Sequence, residues 1–146
     1  MSETKEQAIL RWFEEIWNQG RRQTIDELLD PACVIHDGPT TVQGPEEFKR
    51  FFDRMRASFS KIHVTPHEQL SGGDLACLRW SATMQVPATG KEIQITGMSM
   101  IRFANGRFQE AWQNWDMVGM MEQLGSIPPS ELYMGSREVG QGKAAK

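Results

Sequence analysis

Residues 97–125, GMSMIRFANGRFQEAWQNWDMVGMMEQLG, decide the fold of this chain. Asn105-Gly106 supplies two residues that tolerate positive φ, as a type I′ turn requires, and such a turn matches the twist of the strands it joins. The turn predicts a hairpin of residues 91–103 and 107–116, with Phe103 facing Phe108 and Ser99 facing Trp112. Side chains alternate along a strand. Glu110, Trp112, Asn114 and Asp116 therefore share one face, and Ala111, Gln113 and Trp115 the other. A carboxylate at a strand end, on the face of a Trp and an Asn, suits the wall of an apolar cavity.

Upstream of the hairpin, Gly72-Gly73-Asp74 and Ala88-Thr89-Gly90 punctuate two more extended segments, 62–70 and 75–86. The four segments form an antiparallel meander. The N-terminal half reads as helices. Ala8, Trp12 and Ile16, with Ile9, Phe13 and Trp17, recur at helical spacing over residues 4–19, and Gly20 stops them. Thr24 is placed to cap a short helix through Leu29, which Asp30-Pro31 ends. Residues 33–36 read as a short strand and 37–44 as a loop. Pro45 then opens a helix over 45–59, where its missing N–H costs little, and that helix buries Phe48, Phe51, Phe52, Met55 and Phe59. Met117 to Leu124 forms a last short helix closed by Gly125. Helices that precede a sheet imply an α+β domain over 1–126 with the helices on one sheet face, followed by a tail over 127–146. A pocket between curled sheet and helices is the natural ligand site.

Composition narrows the functions. With 146 residues and a net charge of −3, the chain has room for one core but no basic stripe for nucleic acid. Its apolar runs are too short to span a bilayer. Residues 1–20 lack the cationic start and apolar middle of a signal peptide, so a cytoplasmic protein is expected. Cys33 and Cys77 read as free thiols serving as small core residues. His36, His63 and His67 have no ligand spacing, so no metal is expected. Nine Met and five Trp point to an interior with bulky, adaptable walls.

WFEEIWNQG, IDELLDPACVIHD, GPEEFKRFF, LRWSA and the hairpin itself, in this order and spacing, resemble the SnoaL-like polyketide cyclase (ester cyclase) family of the NTF2-like superfamily. The resemblance covers residues 6–125. It implies an NTF2-like α+β cone, a curved antiparallel sheet wrapped around N-terminal helices with a central pocket. It also implies intramolecular aldol ring closure of a polyketide-like carbonyl substrate without metal or cofactor. An Asp at the end of the last long strand serves as acid/base in the family, and Asp116 matches it in its Trp-Asp context. A His on the preceding strand assists that Asp in the family, whereas here the facing positions are Gly97, Ser99, Ile101 and Phe103, and the nearest candidate is His36.

On this reading Asp116 is the acid/base, His36 supports it and Asn114 orients the substrate. Trp17, Phe52, Trp80, Ser99 and Trp112 line the wall, and the ligand is a small, hydrophobic, carbonyl-rich molecule. Each assignment has a structural competitor. Asp116 also suits the N-cap of the helix starting at Met117, His36-Asp37 suits a strand-end polar pair, and the aromatics suit a core. Arg79 and Arg102 suit outer-face ion pairs with acids such as Glu92 and Glu110. Met98, Met100 and Trp115, placed opposite Trp112, form an apolar row that a second subunit would cover, giving a homodimer. The alternative functions are a hydrolase, dehydratase or isomerase of the same superfamily, and a non-catalytic ligand-binding module. The sole Tyr, Tyr133, lies in the tail, which disfavours an isomerase that needs a pocket Tyr.

Overall fold

The computed structural model describes residues 2–127, and the chain divides into two units, 1–116 and 117–146. In the first, helix α1 (Lys5–Arg11) opens on a reciprocal cap. Thr4 Oγ1 accepts from the Gln7 N–H at 3.1 Å, and Gln7 Oε1 accepts from the Thr4 N–H at 3.0 Å. The helix then widens into a π-helix over Trp12–Asn18 rather than running on as the α-helix expected to residue 19. Trp12, Phe13 and Ile16 are buried there, and Trp17 is half-buried. Gly20, at φ 73°, ends it.

Helix α2 spans Gln23–Leu28. Thr24 does not cap it. The residue is fully buried and its hydroxyl donates to Glu15 Oε1 at 2.6 Å, because the helix packs against the π-helix and needs that face closed. Strand β1 (Leu29–Asp37) is longer than the short strand expected, and the expected loop holds a second strand, β2 (Thr40–Gln43). Helix α3 (Gly44–Ser58) begins one residue before Pro45, which sits in its first turn, buries Phe48 and Phe52, and leaves Phe51 and Met55 half-buried. Strands β3 (Ser60–Gly72), β4 (Leu75–Gln85), β5 (Glu92–Ala104) and β6 (Arg107–Trp115) form the meander.

The six strands make one curved sheet in the order β2-β1-β6-β5-β4-β3, with β1 parallel to β6 and every other pair antiparallel. This is the expected α+β architecture. Trp12, Phe13, Phe48 and Phe52 from the helices meet Leu78, Trp80, Ala82, Met84, Ile93, Ile95 and Ile101 from the sheet's inner face. In the second unit, helix α4 (Met117–Gln123) ends near Gly125 at φ 76°. The expected tail falls, from residue 128 on, outside the described residues.

The turn is as expected, with Asn105 at φ 56° and Gly106 at φ 75°. Beyond it the register departs. Phe103 pairs with Phe108, but Arg102 pairs with Glu110, Ser99 with Gln113 and Gly97 with Trp115. Gln109 is thus an extra residue on β6, a β-bulge. Its side-chain amide donates to the Ala104 carbonyl at 2.8 Å, within the turn. One extra residue turns every later side chain to the opposite face. Ala111, Gln113 and Trp115 consequently face inward, while Glu110, Trp112 and Asn114 face outward with Met98 and Met100. Ser99 does not face Trp112, and Trp115 does not belong to the outer apolar row.

Trp80 packs across Gly97, its partner on β5. A Cβ at Gly97 would stand 2.8 Å from both Trp80 Cε2 and Cη2, and closer still to Cζ2. Gly97→Ala should therefore destabilise the fold by about 1–3 kcal/mol, the usual cost of overpacking. Denaturant melts should show this loss shrinking when Trp80→Phe is added, because the clash is with the indole. Equal losses in both backgrounds would place the cost elsewhere.

Candidate active site

Two cavities lie between the helices and the inner sheet face. The larger, about 50 Å³, is walled by Phe13, Trp17, Phe51, Met55, Trp80 and Met84, among others, with Gln113 and Trp115 from β6. The smaller, about 30 Å³, is walled by Trp12, Ile35, Phe48, Ser99, Phe108 and Gln113, among others. Phe13 and Gln113 line both. The walls are overwhelmingly apolar, so the few polar atoms among them define what the site can recognise.

Asp37 lines neither cavity itself but is hydrogen-bonded to Trp115, which lines the larger one. Cys33, Ile35 and Asp37 alternate inward along β1, and Asp37 pairs with Gln113 across the parallel ladder. Its Oδ1 accepts a hydrogen bond of 3.1 Å from Trp115 Nε1. Burial lifts its pKa above the ordinary Asp value, and the Trp115 bond opposes that by favouring the anion. Asp37 is thus a half-buried acid with a raised pKa, bonded to an indole that walls the larger cavity.

The residues expected from sequence divide into three groups. Trp17 and Trp80 line the larger cavity, Ser99 lines the smaller, and the buried Phe52 packs its ring against Trp17 at 5.4 Å. His36, Trp112 and Asn114 stand with the outer face. The His36 ring stacks on Trp112 at 5.6 Å and its Nε2 meets Glu110 Oε2 at 2.8 Å, while Arg102 lies over the Trp112 indole at 5.8 Å. Trp112 touches the smaller cavity from its strand position. Asp116 is exposed, just past the end of β6, and its backbone N–H donates to the Thr96 carbonyl at 2.9 Å. Neither Asp116 nor Asn114 lines a cavity, so of the expected group of Asp116, Trp112 and Asn114 only Trp112 reaches a cavity wall.

Other expectations resolve simply. Arg79 pairs with Glu68 and Arg102 with Asp74 on the outer face, rather than with Glu92 and Glu110. Burial pushes the Cys33 thiol up to about 12, consistent with a core residue. Among the described residues no cluster of His, Cys, Asp or Glu could hold a metal ion, and no helix is long and apolar enough to cross a membrane.

This geometry has relatives. The model of the SnoaL-like polyketide cyclases matches residues 7–124. The chain belongs to that family. IdmH of Streptomyces antibioticus, a proposed polyketide cyclase, is 27% identical over 84% of this chain and 99% of its own, with a TM-score of 0.76. A proposed SnoaL-like polyketide cyclase from Jannaschia sp. CCS1 is 17% identical over 88% of this chain and 99% of its own, also at 0.76. A protein of ketosteroid isomerase-like fold from Catenulispora acidiphila, solved with trimethylamine, is 14% identical over 84% and 95%, at 0.74. No protein of curated function matches the sequence. Membership in the SnoaL-like family supports a function of the cyclase or isomerase type.

The raised pKa of Asp37 has a consequence for stability. Its folded-state pKa lies above the unfolded value of 3.8, so its favourable contribution is complete below that value and lost as pH rises through the folded pKa. At neutral pH the buried charge is a liability. Asp37→Asn, which can still accept from Trp115, should raise the melting temperature at pH 7, and the gain should fade below pH 3.8. A gain independent of pH would show that the ionisation of Asp37 is not its source.

Proposed function

We propose that this chain is a SnoaL-like cyclase that closes a ring in a small carbonyl-rich substrate by an aldol-type step, with Asp37 as the acid/base. The single observation that supports this most is the hydrogen bond to Asp37 from Trp115, whose indole lines the larger cavity. Aldol closure needs a base to take a proton next to a carbonyl and an acid to return one to the new alkoxide. One carboxylate can do both in turn. A carbon acid flanked by carbonyls is acidic enough for a carboxylate base, and burial makes Asp37 stronger than an Asp in water.

The cavity wall constrains the substrate. The larger cavity is walled almost wholly by apolar side chains, which favours a hydrophobic ligand. Met55 and Met84 are the adaptable walls, being unbranched and polarizable. A flat molecule sliding between Trp17 and Trp115 demands the least movement.

Asp116 is the competing carboxylate, supported by its match to the family's acid/base and opposed by its exposure. The two readings separate by substitution. Asp37→Asn should lower turnover of a cyclisable 1,3-dicarbonyl substrate by about 10²–10⁴-fold, while Asp116→Asn should leave it within a few-fold. The wild-type rate should fall as pH drops through the raised pKa of Asp37. The reverse pattern, loss in Asp116→Asn alone, would transfer the role to Asp116.

The assembly reading changes its residues and keeps its logic. Met98 and Met100 are 54% and 37% exposed on the outer face, where they flank Trp112 and Asn114 across the ladder. A homodimer through this face should sediment as a dimer at micromolar concentration and become monomeric as Met98→Glu/Met100→Glu. A double variant that remains dimeric would exclude the face.

A further inference from the structure

Gln113 is the polar side chain shared by both cavities, and its orientation is fixed from behind. Ser99 is buried to 6% exposure, one of two buried polar residues among those described. Trp80 Nε1, which can only donate, gives its hydrogen to Ser99 Oγ at 3.0 Å. The Ser99 hydroxyl in turn donates to Gln113 Oε1 at 3.3 Å. If the Gln113 amide were turned over, the buried hydroxyl would lose its acceptor, which is costly. The relay therefore holds Oε1 toward Ser99 and leaves the Nε2 hydrogens pointing away from it, with no protein acceptor among the described residues. On the neighbouring strand Asp37 stands in register with Gln113. A donor without a protein partner beside a base, in an apolar cavity, is the arrangement that stabilises a developing oxyanion.

We propose that Gln113 Nε2 donates to the carbonyl oxygen of the substrate, stabilising the enolate. Trp80 and Ser99 act as positioning residues that fix the amide. The inference deepens the acid/base reading above and rests on it for the step being served. In that step Asp37 removes the proton next to the carbonyl and the electron pair moves onto the carbonyl oxygen held by Gln113. The enolate carbon then attacks the second carbonyl, whose oxygen takes the proton back from Asp37. Nothing is oxidised or reduced.

The test uses a pair of probes that differ at one group, acetophenone and its isostere α-methylstyrene, which lacks the acceptor oxygen. Binding to the full chain is followed by Trp fluorescence. The expected result is a ketone-over-alkene preference that falls about five- to tenfold in Gln113→Leu, with α-methylstyrene binding unchanged. Should Gln113→Leu not fold, Gln113→Met serves. Ser99→Ala should lose part of the same preference, because the amide is then free to turn, and a merely structural Ser99 would weaken both probes equally. An undiminished preference in the Gln113 variants overturns the proposal, as does a wild-type chain that binds neither probe. Failure of the acid/base reading looks different. Asp37→Asn would keep full turnover, and the ketone preference would still depend on Gln113.

Discussion

Gln113 and Trp115 face the cavities from the last strand because of one inserted residue. Gln109 adds a residue to β6 without a partner on β5. A bulge of this kind breaks the ladder locally and inverts the parity beyond it. Without it Trp112 and Asn114 would point inward and Gln113 and Trp115 outward. With it, the indole of Trp115 reaches Asp37 on β1 and the amide of Gln113 reaches Ser99 on β5. The bulge is held by its own side chain, whose amide caps the Ala104 carbonyl at the turn. The register of β6 against β1 also shifts in this region, so the parallel neighbour accommodates the same irregularity.

A second constraint is steric. Trp80 lies across the sheet only because Gly97 has no Cβ. That posture brings its Nε1 to Ser99, two residues further along β5. The glycine, the indole, the serine and the glutamine thus form a chain in which packing determines the direction of hydrogen bonds. Each donor in it has a protein acceptor until the last, the Gln113 amide nitrogen, which is where a ligand can contribute. The outer face uses its polar groups differently. His36 and Glu110 satisfy each other beside Trp112, and Arg102 and Asp74 do the same nearby.

The fold was legible in the sequence to a degree the site was not. Turn chemistry at Asn105-Gly106, helix entry at Pro45 and the order of helices before strands each carry a local physical signature. β2 was missed because four exposed or half-exposed residues, Thr40–Gln43, have no buried face to produce alternation. The π-helix was missed because its apolar spacing is compatible with an α-helix. The site failed on parity. Nothing in RFQEAW marks a bulge, since neither Gly nor Pro is present, and both faces of β6 carry a Trp and at least one amide. A signal existed on the neighbouring strand. Ile93, Ile95, Gly97, Ser99 and Ile101 alternate cleanly with polar and sulfur-bearing residues, which identifies the inner face of β5 without reference to the turn. On β1 the buried positions Cys33 and Ile35 carry the same parity to Asp37, beyond the strand expected over 33–36.

The pairing of a buried Asp with a neutral amide is itself informative. A cationic donor at position 113 would stabilise an oxyanion more strongly, yet it would also stand in register with Asp37 and pull that carboxyl's pKa down. The base would then be weakened by the group meant to assist it. A neutral donor avoids this conflict, leaving burial free to raise the basicity of Asp37 while the Trp115 hydrogen bond keeps the anion accessible. The hydroxyl relay from Trp80 compensates for what a neutral donor lacks in strength by removing its freedom to turn. An amide fixed in advance need not reorganise as charge develops, which is the condition under which modest dipoles contribute most in a dry cavity.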